Sequence, residues 1–318
     1  MRIVYFIILF TFTFKISKNQ GLTNSLNNLS HENLLDNPWF TVNQRSFAST
    51  SSALGYTVDR WRVAYNPALN TCELTSNGMV LNSVSKILIL QQRFDEEQFK
   101  SVVGKMATFS VLLSDGTMYK GSAIFPQKGD ASDAVPINNA DLYVYYQYNS
   151  NSDNLPSVGI YPKVGKTVTI KALKLELGSI STLAMDSAPN YAEELLKCQR
   201  YFVRFSTNNT ARLAFHGFFS VIDSIDTTKR DVWMAAMLPV VMRATPYVSS
   251  NDITKWFFST SHNGNQLVKF LITLNVERIN GNSIFIVATV DNSNTEFGTY
   301  GQLWCDTANC YLDLSADL

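Results

Sequence analysis

The sequence predicts an all-β protein, with an antiparallel β-sandwich first, a short linking α-helix next and a second β-sandwich at the C-terminal end. Three observations lead there. Only 16% of the 318 residues are charged, below the roughly 25% usual in soluble domains. Asn, Ser, Thr, Tyr and Phe fill the gap; such residues suit pleated strands and turns rather than helices. Short segments of alternating apolar residues, bounded by turn residues, recur along the chain, with one convincing helical stripe among them. The length suits two units, each able to bury its own core.

The elements follow in order. Residues 16–33 are polar and Asn-rich and read as a linker. Ala107, Phe109, Val111 and Leu113 alternate with more polar positions, Ser114-Asp115-Gly116 turns the chain, and Thr117–Phe125 returns as the second strand of a hairpin. Asp95–Val102 reads as a short helix capped by Asp95. Asp141–Tyr148 is a strand with Leu142, Val144, Tyr146 and Tyr148 on one face and Tyr143, Tyr145 and Gln147 on the other. Val168–Leu177 closes the set. The helix comes next, with Ser187 as its cap, Pro189 in its first turn and Glu193 and Glu194 near its positive end. Tyr191, Leu195, Cys198 and Phe202 share one face, which packs on a sheet or meets copies of itself. Beyond it, Val268, Phe270, Ile272, Leu274 and Val276 form an inward strand face, with Leu271 turned to water. Asn280-Gly281-Asn282 then leads into Ser283–Val290. The expected units are 1–32, 33–186, 187–204 and 205–318.

At the N-terminus Arg2 precedes an apolar run, Ile3–Phe14, that Lys15 ends. The run suits the core of a secretion signal and is shorter than the roughly 20 residues a membrane span needs. Small residues for cleavage are missing, so an imperfect export signal and an accessory strand or anchor both remain open. No other segment is long and apolar enough to cross a bilayer.

Composition narrows the chemistry. With 26 basic and 26 acidic residues, the charge footprint of a nucleic-acid binder is missing. Cys305 and Cys310 are close enough to bridge, and free thiols or a local staple are favoured over a metal site; Cys72 and Cys198 stand alone. His31, His216 and His262 have no metal-ligand spacing, and no G-x-S-x-G elbow occurs. Gly159–Thr167 imitates a phosphate loop but has one residue too many, contains Pro162 and leads into a strand. Asp59, Asp95, Glu96, Glu97, Glu176, Asp223 and Asp226 are available to a two-carboxylate hydrolase, and spacing selects no pair. Aromatic rings with neutral Asn, Gln and Ser partners suit sugars. Tyr143, Tyr145, Trp233, Trp256, Phe257, Tyr300 and Trp304 are the candidates, with core packing as the competing role for each. Asn28 and Asn208 head glycosylation sequons.

Asn33-Leu34-Leu35-Asp36-Asn37-Pro38-Trp39-Phe40, with Val42-Asn43-Gln44-Arg45 and Tyr56-Thr57-Val58-Asp59-Arg60-Trp61, resembles the jelly-roll carbohydrate-binding domains of bacteriophage tail fibres and related virion appendages. Leu90-Gln91-Gln92-Arg93-Phe94, Gly104-Lys105 and Leu173-Lys174-Leu175-Glu176-Leu177-Gly178-Ser179 follow in the family's order. Tyr191-Ala192-Glu193-Glu194-Leu195 and Cys198-Gln199-Arg200-Tyr201-Phe202 are similar to the helix after that domain, and Leu238-Pro239-Val240-Val241-Met242-Arg243 matches loosely. The resemblance implies a non-enzymatic, homotrimeric virion part whose partners are host-surface glycan and other virion proteins. Nucleic acid and a stable membrane span are outside that picture. Asn37, Trp39, Gln44, Arg45, Asp59, Arg60 and Trp61 would be scaffold, with Trp39 and Trp61 as core anchors and Asp59 paired to Arg60 or Arg62 or bound to backbone. No cofactor is expected: Thr41 stands where related modules often carry an acid for calcium, and Lys171-Ala172 replaces an acidic pair. A polysaccharide-cleaving enzyme and a secreted or surface glycan-binding protein are the alternatives.

Overall fold

The computed structural model describes residues 32–318 except 52–53, 66–68, 96–98, 101, 132–133, 138–140, 149–154, 207–212, 219, 224–228, 251, 263–264, 292–299, 306–309 and 318. For 51, 65, 213–218, 220–223, 229–230, 260–262, 265–270, 277–280, 291 and 300–301 it describes the backbone alone. The N-terminal apolar run, His31, Asn28, Asn208, Glu96, Glu97 and Asp226 lie outside the described residues.

The chain is all-β. In the first unit β1 (Ser49–Ser51), β4 (Thr71–Thr75), β5 (Gly78–Ser83), β7 (Met106–Leu113), β8 (Met118–Ile124) and β12 (Lys166–Leu177) form one sheet in the order β1-β4-β5-β12-β7-β8. The facing sheet contains β2 (Gly55–Tyr56), β3 (Arg62–Tyr65), β6 (Ile89–Arg93), β9 (Val135–Ile137), β10 (Leu142–Gln147) and β11 (Ser157–Pro162) in the order β2-β3-β6-β11-β10-β9. All pairings are antiparallel, and the chain crosses between sheets after β1, β3, β5, β6, β8 and β11, as a jelly roll requires. Alternation sends Met79, Leu81, Phe109, Val111 and Ile170 from one sheet and Val63, Leu90, Val144, Tyr146 and Ile160 from the other into a shared core. Trp61 is fully buried there, edge-on to Phe40 with centroids 5.6 Å apart, a geometry worth about 0.5–1.5 kcal/mol beyond the area it buries.

The last motif of the first unit has a physical reason. Leu173 and Leu175 face the core, so Lys174 and Glu176 face outward, yet both are fully buried. The segment Gly178–Asp186 folds back over them. The Lys174 Nζ donates to both Asp186 oxygens at 2.9 and 2.8 Å, and Glu176 accepts from the Thr182 N–H and Oγ1 at 2.7 and 2.6 Å. Each buried charge thereby has partners, without which burial would be prohibitive.

The helix α1 spans Tyr191–Gln199 and is shorter than the pattern predicts. Asn190, not Ser187, caps it by accepting from the Ala192 N–H at 2.9 Å, and Pro189 stays outside. Phe202 already belongs to β13 (Phe202–Ser206). The buried residues are Glu194 and Cys198, while Tyr191 and Leu196 are exposed. The difference arises because the helix packs on a polar loop rather than a sheet: the Asn37 N–H donates to Glu194 Oε2 at 2.7 Å.

In the second unit β13 joins β17 (Tyr247–Ser250) and β22 (Tyr311–Ser315) in the order β13-β22-β17. Arg204 grips its cross-strand partner Asp313 through two bonds of 2.7 Å. A larger sheet contains β14 (Leu213–Phe218), β15 (Ser220–Asp223), β16 (Lys229–Met237), β18 (Trp256–His262), β19 (Asn265–Asn280), β20 (Ser283–Asp291) and β21 (Tyr300–Cys305). Its order is β14-β21-β18-β19-β20-β16-β15. β14 and β15 stand at opposite edges although only residue 219 separates them in the chain. The sheet must therefore curl until its edges meet, and β14 lies against β16. Curling blunts two edges that would otherwise be open to strand addition. The smaller sheet closes the core with Leu312, Leu314 and Val203 against Trp256, Ile284, Ile286 and Leu303.

On β19 the expected face is only partly observed. A register shift between Leu271 and Thr273 turns Leu271 inward and leaves Ile272 exposed, since one extra residue reverses every later side chain. Gly281 makes the expected turn at φ 62°.

Cys305 and Cys310 form a disulfide that ties the end of β21 to the start of β22, so the staple reading holds. Cys72 and Cys198 are free and buried. Replacing both bridged cysteines by serine is expected to lower stability by about 2 kcal/mol, the loop-closure entropy of so short a ring, measured by urea unfolding against the wild type.

Candidate functional site

The motif residues of the first unit converge on the joint with the second. Asn37, at φ 50°, saturates its amide: Nδ2 donates to the Val42 and Asp59 carbonyls at 2.8 and 2.9 Å, and Oδ1 accepts from the Val42 N–H at 2.9 Å. Its carbonyl accepts from the Trp61 indole at 2.9 Å. The Gln92 side chain exchanges two bonds of 2.8 Å with the Asp36 backbone.

Arg60, 1% exposed, donates from Nε to Asp36 at 2.9 Å and from Nη2 to the Arg93 carbonyl at 2.6 Å, and its guanidinium lies 3.4 Å from the Tyr201 ring centroid. Burial works against its charge, but Asp36 and the tyrosines Tyr201 and Tyr56 hold its pKa above the usual value. Arg45 lies between Phe202, 3.6 Å from the ring centroid, and Tyr56, at 4.6 Å, and pairs with Asp317. Gln44 Nε2 donates to the Phe202 carbonyl at 3.0 Å. From the other side Arg243 reaches Asp95 at 2.5 Å, and the Tyr201 hydroxyl donates to the same carboxylate at 2.9 Å. Asp95 thus serves the joint. Asp59 does not pair with Arg60: it accepts from the Gln44 N–H and side chain at 2.6 and 3.2 Å and faces Arg45 at 4.0 Å.

The sugar-binding candidates divide three ways. Tyr143 and Tyr145 lie half-buried on the outer face of β10. Tyr143 stacks on Tyr161, centroids 5.2 Å apart and planes 9° from parallel. Tyr145 lies over Gly159, where a Cβ would stand 2.1 Å from its ring, and donates to Gln91 at 2.7 Å. Burial pushes its hydroxyl pKa up, so it remains a donor. On the outer face of the large sheet, half-buried Phe257 and Trp304 approach at 5.1 Å and 30°, with the Trp304 indole donating to Ser259 at 3.1 Å. Trp233 and Phe285 form a second pair at 6.3 Å on the same face. Trp256 is 0% exposed and belongs to the core, which removes it as a ligand platform. Tyr300 starts β21, and its side chain lies outside those described, as do those of His216, His262 and Asp223.

Trp39 departs from its expected role as a core anchor. It is half-buried at a cleft, with Lys171 Nζ 5.8 Å from its ring centroid. Tyr161 and Phe285 escaped the sequence reading, and Gln91 entered it only as a motif residue, because only strand register brings them beside the candidates. Among the described residues no group of three metal-binding side chains occurs, and no helix is long and apolar enough to cross a membrane.

No protein-family model matches the chain, and no curated protein matches it in sequence.

Asp59 supplies a pH test of the joint. Burial chiefly raises its pKa, against the opposing pull of Arg45 and the Gln44 N–H, to about 6 from 3.8. The folded state holds this proton more tightly than the unfolded chain, so the group's stabilisation is complete below about pH 4 and lost as pH rises through about 6. Urea titrations of wild type and Asp59→Asn from pH 4 to 7 are expected to show their stability difference moving against the wild type by roughly 2 kcal/mol. A difference independent of pH contradicts the assignment.

Proposed function

We propose that the chain is a non-enzymatic part of a bacteriophage virion, a tail fibre or related appendage, that attaches the particle to glycan on the bacterial surface mainly through its second unit. The observation that carries this reading is the pair of aromatic platforms, Phe257–Trp304 and Trp233–Phe285, on the outer face of one sheet. β18 and β20 flank β19, and Phe257 pairs with Phe270 while Phe285 pairs with Arg278, so the platforms are offset along β19 as well as across it and stand roughly 20 Å apart at the usual strand spacing and rise. The half-buried rings offer apolar faces of the kind sugars stack on.

Other observations agree with it. The described candidate acids Asp59, Asp95 and Glu176 are committed to structural bonds. The Cys305–Cys310 bridge fits a protein that meets oxidising surroundings. A homotrimer and contacts with other virion proteins belong to the same proposal, carried by the sequence resemblance.

Binding of the purified chain to susceptible cells tests it. Trp304→Ala and Trp233→Ala are each expected to weaken attachment about two- to tenfold, the range for loss of one aromatic contact, with the β-sheet signal in circular dichroism retained. Unchanged attachment in both, or labelled antibodies that find no copy of the chain on particles, contradicts the proposal.

A further inference from the structure

We infer that the cleft beside Trp39 in the first unit is a separate saccharide site and that it takes an acidic sugar residue. The inference shares with the proposed function only the ligand class; it uses none of the second unit's aromatic residues.

The cleft has a volume of about 420 Å³, with Trp39, Thr41, Ser76, Asn77, Ser114 and Lys171 on its walls, within the size range of small-ligand sites. It lies between the Trp39 loop and the tips of two hairpins that flank β12. Backbone bonds hold each wall. The Leu173 N–H donates to the Pro38 carbonyl at 2.9 Å, which fixes the loop carrying Trp39 to β12. On the other side the Ser114 N–H donates to the Thr169 carbonyl at 2.9 Å. Gly78, at φ +124°, presses the β4–β5 tip so close that an added Cβ would stand 2.1 Å from the Ile170 carbonyl oxygen. The walls are thus set before a ligand arrives, which reduces the ordering that binding requires.

The chemistry follows from the lining. A half-exposed indole offers a face to the C–H surface of a sugar ring, and three hydroxyl side chains with one amide can meet its hydroxyls. No carboxylate lines the cleft, and Lys171 has no ion-pair partner among the described residues. A neutral sugar leaves that exposed ammonium to water, and an amino sugar is repelled by it. A carboxylate on the ring gives it a partner.

The test uses the full chain, with tetragalacturonate as the acidic probe and maltotetraose as the neutral one, followed by isothermal titration calorimetry. The acidic probe is expected to bind about two- to fivefold tighter, the worth of one exposed ion pair. Lys171→Gln, at an exposed position, is expected to remove that margin alone. Trp39→Ala is expected to abolish the response to both probes with unchanged melting, and Trp304→Ala to leave it intact. No response to either probe, a response that survives Trp39→Ala, or an acidic preference that survives Lys171→Gln overturns the inference. Should Trp39→Ala fail to fold, Lys171→Gln still decides. Cell attachment that depends on Trp304 but accompanies a silent cleft would refute this inference and leave the proposed function standing.

Discussion

Two arginines of the first unit, Arg45 and Arg60, stacked on two consecutive rings of the second, Phe202 and Tyr201, set the arrangement of the whole molecule. A buried guanidinium needs its charge answered, even though Arg60 Nη1 and Arg45 Nε have no hydrogen-bond partner among the described residues. Asp36 and the Arg93 carbonyl answer Arg60, and Asp317, from the end of the chain, answers Arg45. Arg45 takes its carboxylate from the second unit and both guanidiniums lie against that unit's rings, so moving one unit against the other would strip Arg45 of its charge partner and both arginines of their rings. Arg243, Asp95 and the Tyr201 hydroxyl add a second set of bonds across the same boundary. The short helix between the units is drawn in through Glu194, which accepts from the Asn37 N–H.

The same rule, that buried charges need partners, organises the rest. Lys174 and Glu176 pin the strap over the first sheet, and Arg204 with Asp313 ties β13 to β22. Sheet edges are managed by geometry. The chain from β14 to β15 joins opposite edges of the large sheet and forces its curl, which leaves a convex outer face on which Phe257, Trp304, Trp233 and Phe285 are carried.

Much of this was legible in the sequence where the pattern is local. The β7–β8 hairpin and the alternation of Leu142, Val144 and Tyr146 on β10 need only a period of two and a turn. The ordered motif residues were legible as scaffold, but not as a joint, because their partners lie more than 150 residues away in Glu194, Phe202 and Asp317. A bulge in β19 has no local signature, so Leu271 and Ile272 exchanged sides. Trp39 and Trp256 exchanged roles for a related reason: burial of a ring depends on what the opposite sheet or loop places over it.

Calorimetry tests the joint most directly. Cooperative coupling through the buried arginines predicts that the native chain unfolds in one transition and that Arg60→Met, which keeps bulk but removes the charge and its bonds, separates it into two. Two independent transitions already present in the native chain, or a single unshifted transition in the variant, would contradict the account.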